Sequence, residues 1–227
     1  MGTDDLFHKR KAREAESLRR KAAKRASYDI VLIVCEGAKT EPYYFLGLRK
    51  HLRLSNANII IADKKTGIDP LSVVNFAIKE FNKDPCYDRV YCVFDKDKHT
   101  TYAAALDKVK ATRLKRSASL HAITSVPCFE IWLLLHYTFT SRSFSAAGDA
   151  SNCALVETEL KRHITGYQKA SRNIFELVKD KLDNAITNAR RLDAFHQTSG
   201  TDNPSTKVHE LVEYLQDLRK KISEVKS

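Results

Sequence analysis

Three acidic residues follow two apolar stretches of this chain, and their chemistry and spacing suit a metal ion. Glu36 comes directly after the apolar run at residues 30–35, and Asp95 and Asp97 follow a second run at residues 89–94. If these runs are neighbouring parallel strands, their carboxyl ends meet at one edge of the sheet and the carboxylates converge. Three ionised carboxylates about 5 Å apart would repel by roughly 3 kcal/mol per pair at an effective dielectric constant near 20. A divalent cation that prefers oxygen ligands, Mg²⁺ or Mn²⁺, would relieve this repulsion.

A fourth carboxylate interrupts an apolar helix that the sequence predicts from Pro127 onward. Glu130 lies among Phe, Ile, Trp and Leu residues, and an ionisable side chain is rarely buried without a partner. It is therefore a candidate metal ligand, and the alternatives are a pair with a lysine or arginine and a cap at the helix N-terminus. His136 lies on another face of this helix and is predicted to be a core histidine. An Asp-x-Asp after a strand is often only a turn, so Asp95 and Asp97 gain their weight from the combination with Glu36.

The elements that must position these residues alternate between strands and helices. Strands are predicted at residues 30–35, 58–62, 89–94 and 120–124, and helices at residues 40–52, 70–83, 101–115 and from residue 127. This alternation predicts right-handed βαβ crossovers and an α/β core over residues 28–138, with a parallel sheet of about four strands flanked by helices. Beyond it the apolar residues recur with helical periodicity and no strand is evident. Residues 139–227 are therefore expected to form a helical subdomain packed on the core.

The charge of the chain points to nucleic acid as a partner. Thirty-nine basic residues stand against twenty-eight acidic ones, giving a net charge of +11 and attracting polyanions. Residues 1–27 are predicted to form a basic arm, helical or disordered, and the alternatives for its role are a solvated tail and a phosphate-binding segment. Its nine candidate nucleic-acid contacts are Lys9, Arg10, Lys11, Arg13, Arg19, Arg20, Lys21, Lys24 and Arg25.

Several other classes of protein find no support in the sequence. It contains no phosphate-binding Gly-x-x-x-x-Gly-Lys-Ser/Thr loop, no Gly-x-Gly-x-x-Gly and no Gly-x-Ser-x-Gly. Five scattered cysteines without a Cys-x-x-Cys pair favour buried thiols over disulfides or a zinc site. No apolar run approaches the ~20 residues needed to span a bilayer, and the N-terminus is charged. We therefore expect a cytoplasmic protein.

A series of motifs in order gives the chain a family resemblance. They are LIVCEG at residues 32–37, KTEP at 39–42, YF at 44–45, DPL at 69–71, YD at 87–88, VFDKD at 93–97, PCFEIWLLLH at 127–136, YQK at 167–169, AITNAR at 185–190 and NPSTKVH at 203–209. The chain resembles the RloB family over residues 28–220, and the core of that family looks like a Toprim domain. The resemblance implies a role in phage defence or restriction and the cleavage of nucleic acid. It is also compatible with an ATPase partner protein and with a homo-oligomer.

The resemblance also implies roles for individual residues. Glu36 matches the Toprim glutamate, a general acid/base or metal ligand, and Asp95 and Asp97 match the metal-binding Asp-x-Asp. Lys39 is a candidate to contact the scissile phosphate, and Lys169 and Thr206 are candidates to approach the nucleic acid from the helical part. For each of these three the alternative is an ordinary solvated or structural side chain.

The sequence thus supports one leading hypothesis and two alternatives. The leading hypothesis is a Mg²⁺-dependent nuclease that hydrolyses phosphodiester bonds of DNA or RNA, with transfer RNA among the candidate substrates, in anti-phage defence. One alternative is a non-catalytic nucleic-acid-binding or sensing subunit of a defence complex. The other is a nuclease that stays silent until an ATPase partner or a phage trigger releases it.

Overall fold

The computed structural model describes residues 28–54, 59–62, 69–96, 99–146 and 151–226. The predicted basic arm (residues 1–27), with its nine basic residues, and Asp97 lie outside this part of the chain. The strands are β1 (Val31–Cys35), β2 (Ile59–Ala62), β3 (Arg89–Asp95), β4 (Ser119–Val126) and β5 (Ser205–Thr206). The α-helices are α1 (Thr40–His51), α2 (Pro70–Lys83), α3 (Tyr102–Ala111), α4 (Glu130–Leu135), α5 (Asn152–His163), α6 (Ile174–Val178), α7 (Leu182–Ser199) and α8 (Val208–Lys226).

The five strands form one sheet in the order β2-β1-β3-β4-β5. The first four strands are parallel, so the predicted α/β fold is confirmed. β1 and β3 are direct neighbours, with Val31 opposite Arg89 and Cys35 opposite Val93. All five residues of β1 are buried because the strand has a neighbour on each side and packed side chains on each face. This adjacency brings the ends of β1 and β3 to the same edge of the sheet.

Side chains alternate between the two faces of the sheet and enter two separate cores. Leu32 and Val34 of β1 pack in a core with residues of α2 and α3. Val31 and Ile33 point the other way, into a core that includes buried residues of α1 and of α4 to α8. The C-terminal helices thus share one hydrophobic core with a face of the sheet. The predicted boundary at residue 138 between core and helical subdomain stays a prediction.

The sheet contains one strand that the sequence did not reveal. β5 runs antiparallel to β4, with Thr206 opposite Ser125 and Ser205 opposite Val126. The hydroxyl oxygens of Ser125 and Thr206 are 3.1 Å apart and hydrogen-bonded. The prediction of no strand after residue 138 was therefore wrong, because a two-residue strand carries no periodic signal. The complete sheet is mixed rather than wholly parallel.

Local sequence signals fixed the start of α2 but not those of α1 and α4. The Asp69 side chain accepts a hydrogen bond from the Ser72 backbone N–H at 3.2 Å, as expected for an N-cap before a proline. The hydroxyl of Thr40, followed by Glu41 and Pro42, predicts a cap at the start of α1, and this prediction is wrong, because the hydroxyl instead accepts the Ala170 backbone N–H at 3.2 Å. α4 begins at Glu130, three residues after Pro127, where the sequence predicted its start.

Two further expectations can be compared with the described residues. Four of the five cysteines are buried, the fifth is partly buried, and all five thiols are free, as predicted. Within the part of the chain that the structure describes, no helix combines the length and the apolar character that crossing a membrane requires.

Candidate metal centre at the sheet edge

Four carboxylates gather at the carboxyl edge of the sheet, each positioned by a different element. Glu36 follows β1, Asp95 ends β3, Glu130 is the first residue of α4 after β4, and Glu41 lies in the first turn of α1. Glu41 and Glu130 are 8 % and 2 % exposed, and the Glu36 side chain is 9 % exposed. The sheet edge therefore holds a cluster of largely buried carboxylates, three of which the sequence predicted.

The Glu36 carboxylate bridges the ends of β1 and β3. Its Oε2 accepts a hydrogen bond from the Asp95 backbone N–H at 3.0 Å, and its Oε1 lies 3.1 Å from Nε2 of His99. The Glu36 backbone N–H also donates to the Val93 carbonyl at 2.9 Å. Because both backbone and side chain are tied to the neighbouring strand, the Glu36 carboxylate has a defined position beside Asp95.

Electrostatics show that these carboxylates act on one another. Burial raises the pKa of Asp95 well above its ordinary value, and the charges of Glu41, Glu130 and Glu36 raise it further, although a hydrogen bond from the Phe129 backbone amide works in the opposite direction. The pKa of Glu41 is raised to about 7, first by burial and then by the charges of Glu130 and Glu36. A proton or a cation at this edge would reduce the repulsion among the carboxylates that raises the pKa of Asp95 and of Glu41.

Gly37 makes room for the Glu41 carboxylate. A Cβ at residue 37 would lie 2.3 Å from Glu41 Oε2 and 2.7 Å from Oε1, closer than atoms can approach. A hydrogen bond from the Gly37 backbone N–H also favours the charged form of Glu41 and lowers its pKa. The absence of a side chain at residue 37 thus lets the first turn of α1 place a carboxylate against the end of β1.

One of the roles suggested for Glu130, a pair with a lysine, is confirmed. Lys169 Nζ lies 3.4 Å from Glu130 Oε1 and 2.9 Å from Glu157 Oε1. Partial burial disfavours the charged ammonium, but Glu130 and Glu157 raise the pKa of Lys169 above its ordinary value. The predicted lysine pair therefore exists, and Glu130 still contributes to the field at Asp95.

Two more of the predicted nucleic-acid contacts can be placed. Lys39 is an exposed residue that directly precedes α1 and lies three residues after Glu36 in the sequence. Thr206 is 1 % exposed, and its hydroxyl bonds to Ser125 and accepts the Val208 backbone N–H at 3.2 Å. A contact between Thr206 and nucleic acid stays a prediction, and this burial disfavours it because the hydroxyl is used to hold β5 in place.

A family comparison covers both the sheet and the helices described above. The model of the RloB-like protein family matches residues 31–215, which is most of the chain. The chain belongs to the RloB-like family. No curated protein and no solved structure matches it closely.

Sequence reasoning missed two side chains of this RloB-like site. Glu41 was interpreted as an acidic residue in the first helical turn, and the glycine four residues earlier was the one available signal that its carboxylate turns inward. His99 contacts Glu36 Oε1, but it lies outside any predicted motif and no pattern in the sequence pointed to it. His136 was correctly predicted as a core residue: it is fully buried, its Nδ1 is 2.9 Å from the Trp132 carbonyl oxygen, and burial lowers its pKa to about 4.

The RloB-like chain has a second group of possible metal ligands away from the sheet edge. In the described residues, three potential ligand atoms lie within 4.8 Å of one another at one place, formed by Asp193, His209 and Glu210. Lys207 Nζ lies 2.7 Å from Asp193 Oδ2 and 3.1 Å from Glu210 Oε1. This cluster could hold a metal, but a lysine ammonium already balances its carboxylates.

The donor set at the sheet edge of the RloB-like chain fits a hard divalent cation better. Its groups are carboxylate oxygens, which Mg²⁺ and Mn²⁺ prefer, whereas a buried histidine with carboxylates also suits softer metals such as zinc. The raised pKa values of Asp95 and Glu41 indicate a site that favours added positive charge. Among the described residues, however, Glu36, Asp95 and Glu130 do not bring three ligand atoms within 4.8 Å of one another, whereas Asp193, His209 and Glu210 do.

Proposed function

We propose that this RloB-like chain is a metal-dependent nuclease that hydrolyses phosphodiester bonds of DNA or RNA. The observation that carries the proposal is the cluster of four carboxylates at the carboxyl edge of the parallel strands, in which Glu41 and Glu130 are buried, Glu36 and Asp95 are partly buried, and burial and neighbouring negative charges raise the pKa of Asp95 and Glu41. Such an edge is where open α/β sheets bind their ligands. The net charge of +11 favours a polyanionic substrate. The Toprim-like character of the core and a role in anti-phage defence are the parts of this proposal that rest on the family resemblance.

The cofactor in this proposal is Mg²⁺, with Mn²⁺ as the substitute, held by Glu36, Asp95 and Glu130 together with Asp97, which lies outside the described residues. When bound, the ion would lower the pKa of a water molecule and stabilise the charge that develops on the phosphate. Lys169 keeps Glu130 oriented through its contact at 3.4 Å. The exposed ammonium of Lys39 is available to a substrate phosphate.

Glu41 gives the site a group that can exchange a proton near neutral pH. In the ion-free site a carboxyl with a pKa of about 7 exchanges its proton near neutral pH, the range in which general acids and bases work best, and a bound cation would lower this pKa. Its position over Gly37, at the end of β1, places it beside Glu36. We assign the proton-transfer step to Glu41 and the ligand role to Glu36, Asp95 and Glu130.

The test is a cleavage assay on purified full-length chain with single-stranded DNA, duplex DNA and transfer RNA in Mg²⁺ and in EDTA. The proposal predicts Mg²⁺-dependent cleavage that falls by at least about 100-fold in Glu36→Gln and in Asp95→Asn. Glu159→Gln is the matched control, since Glu159 is an acidic residue on the surface of α5 paired with Arg162 at 2.8 Å. Cleavage that persists in both active-site variants would contradict the proposal.

A second candidate function is a non-catalytic nucleic-acid-binding subunit. The observation that favours it is the contact between Lys169 and Glu130, which supplies positive charge to the cluster from the protein itself. It predicts nucleic-acid binding that weakens steeply with salt, without turnover, and that is lost when residues 1–27 are deleted. A nuclease core would still cleave after this deletion, with lower efficiency.

A further inference from the structure

Among the residues that the structure describes, the outer edge of β4 is unpaired along most of its length. β5 pairs only with Ser125 and Val126, and the Lys207 backbone N–H adds one bond to the Thr124 carbonyl at 2.8 Å. From Ser119 to Ile123, no described residue pairs with the side of β4 that faces away from β3. An unpaired strand edge is a template for an added strand.

The hydrogen bonds at the ends of β4 show which backbone groups face outward. The Ser125 carbonyl accepts the Lys96 N–H and the Ser119 N–H donates to the Asp88 carbonyl, so the backbone groups of the odd-numbered residues face β3. Because strand residues alternate, the N–H and C=O groups of Leu120 and Ala122 face outward together with those of Thr124. Within the described residues, Leu120 and Ala122 have no hydrogen-bond partner on that side.

This open edge forms the floor of a groove of about 720 Å³ between α3 and α8. On the α3 side the wall includes the apolar side chains of Val109 and Leu114. These two residues and Leu120 of β4 are partly buried against the same hydrophobic core. On the α8 side the wall includes Tyr214. The free stretch of five residues corresponds to about 16 Å of extended chain, at about 3.3 Å per residue.

The rim of the groove is positively charged. Lys110 and Arg113 line it and have no carboxylate partner among the residues that the structure describes. Arg89 is paired with Asp29 at 2.9 Å. Glu210 is the one acidic residue among the described lining residues, and its carboxylate contacts Lys207 at 3.1 Å. The uncompensated charge therefore favours an acidic occupant.

We propose that this groove binds an extended, acidic segment of a partner protein, which adds to the sheet as a strand beside β4. Backbone bonds to Leu120 and Ala122 give the affinity, and the side chains of the added strand that point to the α3 side pack on Val109 and Leu114. Lys110 and Arg113 at the rim attract the negative charge of the segment. A second copy of this chain fits less well, because it would bring the same basic rim against itself. The basic arm at residues 1–27 is excluded by the same argument. The inference is independent of the nuclease activity.

The probe for this proposal is a fluorescein-labelled hexapeptide of alternating glutamate and valine, titrated with the full-length chain and followed by fluorescence anisotropy. Two further versions carry N-methyl groups on the glutamate amides only or on the valine amides only. Because an added strand points alternate amides at β4, we expect one version to lose at least about tenfold in affinity and the other to bind like the parent. Equal affinity, or equal loss, in both versions would overturn the proposal.

Protein variants test the same contact from the other side. Ala122→Pro removes one outward N–H, which an edge strand tolerates, and is expected to weaken binding by about tenfold. Arg113→Glu is expected to weaken it by at least about fivefold, whereas Lys108→Glu, an exposed residue of α3 outside the groove, should leave it unchanged.

Three other outcomes identify a different occupant and overturn the proposal. In the first, an oligonucleotide displaces the peptide and binds equally well to Ala122→Pro. That result would show that the groove binds phosphate groups. The second is a dimer in sedimentation experiments that Ala122→Pro dissolves. The third is peptide binding only after deletion of residues 1–27. Failure of the probe to bind at about 1 mM also overturns it.

Discussion

Replacing Glu41 by glutamine should stabilise the chain at neutral and alkaline pH while impairing its proposed activity. The Glu41 carboxyl is 8 % exposed and its pKa is raised from 4.5 to about 7. This difference corresponds to about 3 kcal/mol of folding free energy lost when the group ionises, at about 1.4 kcal/mol per pH unit. Because Asp95, Glu36 and Glu130 share the same field, about 3 kcal/mol is the upper value for one substitution.

The sign of the effect depends on pH. Below the unfolded pKa of 4.5 the Glu41 carboxyl is protonated in both the folded and the unfolded chain, and the free energy of unfolding is not reduced. As the pH rises through about 7 the group ionises in the folded chain as well, and the free energy of unfolding falls. Glu41→Gln carries no charge at any of these pH values. Its stability should therefore equal that of the original chain near pH 4.5 and exceed it by up to about 3 kcal/mol at pH 8. For a chain of this size, that difference raises Tm by roughly 6–12 °C.

The assay is thermal unfolding in EDTA at pH 5 and pH 8, followed by circular dichroism. The matched control is Glu159→Gln on the surface of α5, which should change stability by no more than about 0.5 kcal/mol at either pH. A stability difference for Glu41→Gln that is the same at both pH values, or that is negative at pH 8, would refute the assignment of Glu41 to the repelling cluster.

Four further predictions test other parts of the structure. Gly37→Ala should displace the Glu41 carboxylate and reduce cleavage, with little change in circular dichroism. In a Glu41→Ala background the crowded carboxylate is gone, so Gly37→Ala should cause no further loss of cleavage. The contribution of His136 to stability should fall by up to about 3 kcal/mol as the pH drops from 6.5 to 4, because His136 stays neutral when folded. Urea titrations should therefore show the original chain losing up to that much stability relative to His136→Leu over this range. Deleting residues 1–27 should weaken nucleic-acid binding and make its dependence on salt shallower in anisotropy titrations, whereas an unchanged slope would exclude the arm from phosphate contact. Added Mg²⁺ should raise Tm of the original chain but not of Asp95→Asn, and an equal rise in both would place the ion elsewhere.

The sequence predicted the part of the site that depends on strand order. Uninterrupted apolar runs identified β1 and β3 as buried parallel strands, and the rule that such strands bind ligands at their carboxyl ends brought Glu36 and Asp95 together. Glu130 was recognisable because a charge inside an apolar helix needs a partner, and that partner proved to include Lys169.

The remaining contacts depend on tertiary packing that no local pattern encodes. Glu41 has the sequence context of an ordinary first-turn acid, and only the close approach to Gly37 shows that it turns inward. β5 is too short to have a period, and the Ser125 hydroxyl that bonds to it lies 81 residues away in sequence. The contact between His99 and Glu36 arises because the chain after β3 returns to the end of β1.

The measurement that tests the metal centre most directly is an anomalous-scattering experiment on crystals of the chain grown with Mn²⁺. We expect a strong anomalous peak at the sheet edge, from an ion coordinated by oxygens of Glu36 and Asp95, that disappears in crystals of Asp95→Asn. A peak at Asp193, His209 and Glu210 alone, with the sheet-edge carboxylates binding no Mn²⁺, would contradict it.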